Sequence, residues 1–350
     1  MKKIVISVAA GLSLLSLPTF SAEVTTVSDY FDQDGIITTP ENYPTLESAR
    51  QFLKNQEVVG VNNFRHKREL TPLDEQDVVR MNRDTYYSLA VIDVSKGATI
   101  SLPEIPTGKY MSFQGITEDH RILPMQYGSG TFELSTTKGD HLYVAVRLDS
   151  TFTKAEANAI QDKMVISARS DKEFTAEQVN KASFEQTENA LKAKMPAIFK
   201  REGASAIVGM FTAPNDASKE LFTKEKYTVG AAIGWGGAQM VDNIYEVSGN
   251  YPTNKCYQAT FEDPQNQAFW SVTVYDKQGF MFNDVANINS NTAERNADGT
   301  YTVSFGCGSD ELNNLETENK SNEFNLAFRH YIPSKKVRDG YRILPFVKEK

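Results

Sequence analysis

Residues Tyr86-Tyr87-Ser88-Leu89-Ala90-Val91-Ile92-Asp93 decide how this chain is read. Tyr87, Leu89 and Val91 alternate with Tyr86, Ser88 and Ala90. A period of two is that of a strand, whose side chains point to opposite faces in turn. The same period recurs in Ala98-Ile100-Leu102, Tyr110 to Gln114 and Leu142-Val144-Val146-Leu148, with Gly, Pro and Asp between the runs. Several short strands punctuated in this way predict an antiparallel sandwich or barrel. After Lys255 the pattern returns in Tyr257-Ala259-Phe261, Trp270-Val272-Val274, Tyr301-Val303-Phe305 and Phe324-Leu326-Phe328. Asp298-Gly299 is a hairpin turn between such flanks. Tyr87 to Asp93 also echoes Trp270 to Asp276, which hints at one plan used twice, although two amphipathic strands can look alike by chance.

Helical periodicity lies before and between the two β regions. Thr45 to Glu57 predicts a short helix, with Thr45 as N-cap and Leu46, Ala49, Phe52 and Leu53 on one face. Thr153-Lys-Ala-Glu156 and Ser183-Phe-Glu-Gln186 have the capping-box pattern, in which each end group satisfies a backbone N–H of the other. Phe184, Leu191, Met195 and Ile198 predict one helical stripe, and Met240, Ile244 and Val247 another. The expected fold class is α+β and β-rich: two antiparallel β-sandwich-like domains with a helical middle section. The expected divisions are a signal peptide (1–22), an N-terminal β domain with a leading helix (23–150), the helical section (151–250) and a C-terminal β-sandwich domain (251–350).

The signal peptide is read from Met1-Lys2-Lys3, an apolar Ile4 to Leu17, the break at Pro18 and the small residues Ser21 and Ala22. Cleavage is expected after Ala22, giving a periplasmic or secreted protein with no stable membrane anchor. In an oxidising compartment Cys256 and Cys307 can pair, and two separate buried thiols are the alternative. Of 350 residues, 40 % are hydrophobic and 23 % charged, which excludes a disordered chain. The net charge of −8 argues against a nucleic-acid partner.

The densest polar cluster is Arg80-Met81-Asn82-Arg83-Asp84-Thr85, just before the deciding strand. Arginine offers a planar fork of donors to carboxylate or phosphate, so Arg80, Asn82, Arg83 and Thr85 are candidate ligand-binding residues. The alternative is an Arg–Asp network that pins the strand entry. Asp84, with Asp119 and His120 of Glu118-Asp119-His120-Arg121, is a candidate for acid–base chemistry, because histidine titrates near neutrality. A solvated charged turn is the competing reading. The four histidines, His66, His120, His141 and His330, form no metal-ligand spacing. Gly234-Trp235-Gly236-Gly237 precedes the expected helix of Met240 and Ile244, where free N–H groups can bind an anion and Trp235 can stack on a ligand. Against that stands Trp235 packed as an interdomain plug. Arg329 shares a strand face with Asn325 and Tyr331. The basic run Arg65-His66-Lys67-Arg68 reads as a solvated face. No Gly-x-Ser-x-Gly elbow is present.

These residues resemble a known pair of families. Arg68-Glu69-Leu70-Thr71-Pro72, Arg80 to Thr85 with Tyr87-Ser88, Asp119-His120 and Ile233 to Gly237 resemble the bacterial domain-of-unknown-function 1254 family. Phe269-Trp270-Ser271 with Val274-Tyr275, Asp298-Gly299, and Asn325 to Pro333 are similar to its usual C-terminal partner, family 1214. The resemblance covers about residues 50–346. It implies an envelope or exported protein with two β-sandwich-like domains and helical segments between and around them. It implies no defined reaction. Asp276 and His330 depart from the residues that these families often carry at those places.

The leading expectation is therefore a cleft between the β domains that binds a small polar or anionic molecule, of carbohydrate or carboxylate type. Arg80, Asn82, Arg83, Asp84 and Thr85 form one wall, Asp119 and His120 lie near, and Trp235, Trp270 and Arg329 close the other side. No cofactor or metal is implied, and a homo-oligomer stays open. The alternatives are a hydrolase or lyase using Asp84, Asp119 and His120, and a non-catalytic envelope or assembly protein.

Overall fold

The computed structural model describes residues 22–76, 79–214 and 221–350. The expected signal peptide, apart from Ala22, lies outside the described residues. The fold is β-rich, with mostly antiparallel sheets and helices between and around them.

Thr85–Asp93 is a central strand, as its alternation requires. It pairs with Arg65–His66 on one side and with His141–Asp149 on the other. Met111–Thr117 and Gln126–Tyr127 complete a five-stranded antiparallel sheet. A three-stranded sheet of Val165–Ala168, Ala98–Leu102 and Gly130–Leu134 packs on one face of it. Ala90, Ile92, Ile100, Leu102, Phe113, Val144, Val146 and Leu148 fill the space between them. The period of two sends the neighbouring residues Tyr87, Leu89, Tyr143, Ala145 and Arg147 to the opposite face.

The C-terminal half repeats this arrangement. Asn243–Val247, Glu323–Tyr331, Trp270–Asp276 and Asn287–Asn289 lie side by side in one sheet. Tyr257–Phe261, Tyr301–Phe305 and Val347–Glu349, with the short Asn314–Leu315, form the second. Trp270, Val272, Val274, Leu326 and Phe328 face the core between these sheets. Ser271, Thr273, Tyr275, Ala327, Arg329 and Tyr331 alternate with them and face away from it.

A third core holds the helices against the free face of the N-terminal sheet. The helix Tyr43–Val59 buries Tyr43, Ala49, Phe52 and Leu53. It packs with Phe184 and Leu191 of the helix Lys181–Lys192, Ile198 of the helix Met195–Glu202, and Val229 and Ala231 of the helix Lys224–Gly234. Val91, Ile116 and Tyr143 of the sheet belong to the same cluster.

Local departures from the expected pattern have identifiable causes. The leading helix starts at Tyr43 after Asn42, not at a Thr45 cap. The box at Thr153 and Glu156 forms. The expected box at Ser183 does not, because Asn180 already accepts from the Ser183 N–H and starts the helix three residues earlier. The single stripe from Phe184 to Ile198 is split over two helices, the second with a proline in its first turn. The expected helix of Met240, Ile244 and Val247 is instead a strand, Asn243–Val247, paired with Glu323–Tyr331. Available edge pairing overrides a spacing that fits a helix over so short a run. The stretch 151–250 thus contributes Val165–Ala168 to one sandwich and Asn243–Val247 to the other.

Cys256 and Cys307 are bonded to each other, with Cα atoms 4.6 Å apart and a separation of 51 positions in sequence. The bond ties the start of Tyr257–Phe261 to the end of its partner Tyr301–Phe305. Closing a loop of this length removes about 4 kcal/mol worth of freedom from the unfolded chain. Thermal unfolding of the oxidised protein and of a Cys256→Ser/Cys307→Ser variant will differ by about 2–5 kcal/mol in favour of the disulfide. Equal stabilities would mean that the bond constrains nothing the fold does not already hold.

Candidate functional site

The free faces of the two main sheets and the helical layer enclose a pocket of about 740 Å³. Ligand sites fall in the range of about 300–1,000 Å³ and favour such junctions. From the N-terminal sheet come Tyr87, Leu89, Tyr143, Ala145 and Arg147, the outward set of the period-two strands. From the C-terminal sheet come Asn243, Tyr245, Val247, Ala327 and Arg329. Met195, Pro196, Phe199, Ile207, Phe211 and Ile233 add an apolar side, and Arg80, Met81 and Asn82 close one end.

The charge of this lining is one-sided. Lys54, Arg65, Lys67, Arg80, Arg147 and Arg329 line the pocket, and among the described residues no aspartate or glutamate does. Lys67 has a partner in Glu75 at 3.1 Å. Arg329 lies 3.8 Å from Asp84 and donates to Thr273 Oγ1, the Tyr275 hydroxyl and the Arg80 carbonyl. Arg147 is 9 % exposed, donates to Gln114 Oε1 at 3.2 Å and sits 5.5 Å from the Tyr87 ring centre. Arg80 donates from Nε to Asn325 Oδ1 at 3.3 Å. Neither Arg80 nor Arg147 has a carboxylate partner among the described residues. Burial lowers the Arg80 pKa, and the nearby Arg329 adds to this. Tyr245 is raised by burial, against the pull of Arg147 and Arg329 on its anion.

Arg80 is held in the left-handed region, at φ 55°, unusual for a side chain with a Cβ. That turn lets its N–H donate to the Gly279 carbonyl at 2.8 Å and its own carbonyl accept from Arg329 at 3.0 Å. The backbone of Arg80 thus positions the guanidinium of Arg329 beside its own.

Asp84 lies outside the pocket wall and is fully buried at the junction. It accepts from Ser271 Oγ at 2.6 Å, Asn287 Nδ2 at 2.8 Å and the Tyr331 hydroxyl at 2.9 Å. Asn82 donates to that hydroxyl at 2.7 Å and accepts from the Asp84 N–H. The Arg80–Thr85 cluster therefore divides: Arg80 and Asn82 face the pocket, while Asp84 joins the two sandwiches. Arg83 donates to the Thr71 carbonyl and lies 3.8 Å from the exposed Asp284. Thr85 is fully buried and lines nothing.

Asp119 and His120 are at the far end of the sheet. Thr85 pairs with Asp149, whereas Thr117 pairs with Leu142 of the same strand. Seven residues of strand put these ends about 23 Å apart, so the sheet does not bring Asp84 together with Asp119 and His120. Asp119 accepts from Thr117 Oγ1. His120, 1 % exposed, accepts at Nε2 from the Gly236 N–H at 3.0 Å and stacks on Trp235. Burial, helped by Arg121, pushes its pKa down to about 3, so the ring is neutral near pH 7. Its role is to hold the Trp235–Gly236 turn behind the pocket wall.

Trp235 does line the pocket, with Nε1 donating to the buried Ser48 Oγ and its ring edge-on to Tyr143. The glycines around it follow a helix instead of opening one, because Gly234 ends Lys224–Gly234. A helix end presents carbonyls, so these glycines are no helix N-terminal anion site. Gly237 instead allows close approach, since an added Cβ would meet the Phe211 ring at 2.4 Å. Trp270 is 1 % exposed in the C-terminal core, packed on Phe261 and Tyr301, and faces away from the pocket. Among the described residues no cluster of three His, Cys, Asp or Glu side chains could hold a metal ion.

Sequence reasoning missed Arg147, the three tyrosines and the pocket role of Arg65 and Lys67. Arg147 was legible as a lone cation within the apolar alternation Leu142-Val144-Val146-Leu148. The Arg65–Arg68 run, read as solvated, alternates its fate: Arg65 and Lys67 line the pocket, while Arg68 pairs with Asp162 at 2.7 Å.

Two family models match parts of the chain. The family model described as protein of unknown function (DUF1254) matches residues 61–131. The model described as protein of unknown function (DUF1214) matches residues 243–335. The two matches fall in that order along the chain, and both matched stretches contribute residues to the pocket lining. The chain is similar in structure to the VPA0106 protein from Vibrio parahaemolyticus, at TM-score 0.65 and 13 % identity over 89 % of this chain and 97 % of that one. It is also similar to an uncharacterized protein from Burkholderia cenocepacia, at TM-score 0.55 and 13 % identity over 88 % and 86 %. These likenesses are ones of fold. No curated protein matches the sequence. Among the described residues no helix is long and apolar enough to cross a membrane.

Two measurements follow from this geometry. Asp84→Ala leaves Arg329 buried without its carboxylate, and denaturant unfolding will register a loss of about 3–5 kcal/mol. A loss below about 1 kcal/mol would remove Asp84 from its role at the junction. His120 titrates at 6.5 when free and near 3 in the fold, so its stabilising effect is complete above about pH 6.5. That effect is lost as pH falls from there toward 3, at up to about 1.4 kcal/mol per pH unit. His120→Gln will show a shallower loss of stability between pH 6.5 and 4.5 than wild type, whatever its stability at pH 7.5. Parallel curves would contradict the buried neutral ring.

Proposed function

We propose that this protein binds a small anionic molecule, of carboxylate type, in the pocket between its two sandwiches. The observation that carries this reading is that Arg80 and Arg147, in a lining that holds no aspartate or glutamate among the described residues, have only neutral hydrogen-bond partners there. A buried cation without a counter-charge is costly, and a ligand anion offsets that cost. Arg147 from one sheet, with Arg329 and Arg80 from the opposite side, offers such a ligand forked donors. The cationic lining makes the pocket a local positive field that draws anions in.

A carbohydrate is less well matched, because neutral sugars are commonly oriented by acceptors as well as donors, and carboxylate acceptors are missing from the described lining. Acid–base catalysis by Asp84, Asp119 and His120 gains no support from their separate positions behind the walls. The volume of the pocket, about 740 Å³, favours ligand binding over a purely structural envelope role. Export remains part of the reading, supported by the leader-like Met1–Ala22 sequence and by the Cys256–Cys307 bond, which suits an oxidising compartment.

Titration calorimetry with benzoate, at low and high salt, tests the proposal. Wild type will bind, and more weakly at high salt. Arg147→Gln and Arg80→Gln will each weaken binding about tenfold to a hundredfold, the effect of a charge-assisted hydrogen bond of about 1.5–3 kcal/mol. Lys335→Gln, at an exposed ion pair outside the lining, will leave it unchanged. Equal binding by wild type and both arginine variants would overturn the assignment.

A further inference from the structure

The apolar side of the pocket specifies more than charge. Met195, Phe199, Ile207, Ile233 and Trp235 pack only partly against the helical core. All five also line the pocket. They therefore present apolar surface to the pocket. The cationic residues Arg80, Arg147 and Arg329 belong to the sheet junction, whereas these apolar side chains come from the helical layer. The lining thus combines a group of arginines at the sheet junction with a continuous run of apolar side chains, as a molecule with a charged head and a hydrocarbon body would require.

We infer that the ligand is an amphipathic carboxylate: an alkanoate chain whose carboxylate meets Arg147, Arg329 and Arg80, and whose tail lies along Phe199, Ile207 and Ile233. This rests on the anion-binding reading above and narrows it. Two features favour a flexible chain over a compact polar acid. The cavity, about 740 Å³, has far more room than a short acid fills. Met195 on the apolar side is unbranched and adaptable, the kind of side chain that fits itself to a chain-like apolar ligand. The helix Tyr43–Val59 adds the polar Gln51, Lys54 and Asn55 to the lining, and the tail is assigned to the apolar stretch beside them, Met195, Pro196, Phe199, Ile207, Phe211 and Ile233.

Burying a methylene contributes about 0.8 kcal/mol, which is about a fourfold change in affinity. Calorimetry with acetate, octanoate and dodecanoate, kept below micelle-forming concentrations, will therefore give affinities that climb steeply with chain length. Octanoate to dodecanoate will gain on the order of a hundredfold, with an increasingly negative heat-capacity change. Dodecanol, the same chain without the charge, will bind at least tenfold more weakly than dodecanoate. Ile207→Asn will flatten the chain-length dependence while leaving acetate affinity in place, whereas Arg147→Gln will weaken every carboxylate alike. Circular dichroism and a thermal melt of each variant establish that it is folded.

The outcomes separate the two readings. If acetate, octanoate and dodecanoate bind equally and Arg147→Gln weakens all three, the anion reading stands and the amphipathic ligand is overturned. If dodecanol binds as tightly as dodecanoate, the apolar side is real but the carboxylate assignment falls. If no carboxylate binds folded wild type at millimolar concentration, both readings fail.

Discussion

A single buried carboxylate holds this molecule in its shape. Asp84 leaves water completely, yet both of its oxygens accept hydrogen bonds from the other half of the chain, from Ser271, Asn287 and Tyr331. Its charge faces Arg329, itself 4 % exposed. A charge so enclosed is tolerated only where its partners are all in place. Asp84 therefore makes the fit of the two sandwiches specific, while aromatic contact supplies area. Phe269 stacks on Tyr331 at 4.1 Å, and Tyr110 of the N-terminal half meets both rings edge-on. With the halves fixed, Arg329 is delivered into the pocket and Arg80 is bent to lie beside it.

The pocket follows from a strand's two faces. In each sandwich one face is spent on the core and the other is left free. Two free faces brought together would close into a third core if both were apolar. Here Arg147, Tyr87, Tyr245 and Arg329 keep them apart, because buried arginines need partners that a hydrocarbon core cannot supply. The helical layer then roofs the gap with apolar side chains. Gln114 links these parts: it accepts from Arg147 at 3.2 Å and donates to the Gly236 carbonyl at 2.8 Å. The turn carrying Trp235 is thereby tied to the arginine in the pocket lining, and His120 holds the same turn from behind.

Much of the fold was legible in one dimension. The alternation in Tyr86–Ile92 and Leu142–Leu148 marked strands and also their two faces. Arg329 was placed correctly opposite Leu326 and Phe328 for the same reason. Helix boundaries were less legible, because Asn180 and Pro196 redirect local signals that Ser183 and the Phe184–Ile198 stripe appeared to own. The candidate site was legible in part. Arg80, Asn82, Trp235 and Arg329 line the pocket, whereas Arg83, Asp84, Thr85, Asp119, His120 and Trp270 do not. Dense polar clusters in sequence draw attention, but Asp84 and Asp119-His120 are dense because they join backbone and strands. Arg147 stands out as a lone cation between valine and leucine, but nothing local tells what it faces.

By itself, then, the sequence determined strands, their inward and outward residues, and the two-part β organisation, since those follow from periodicity and turn chemistry along the chain. Only the tertiary structure decided which outward faces meet water and which meet each other. That choice depends on contacts between residues hundreds of positions apart, such as Asp84 with Tyr331 and Asn82 with the same hydroxyl. Whether an arginine is a surface charge or part of a binding wall is set by the partner sheet and helices that enclose it, and no local pattern records them.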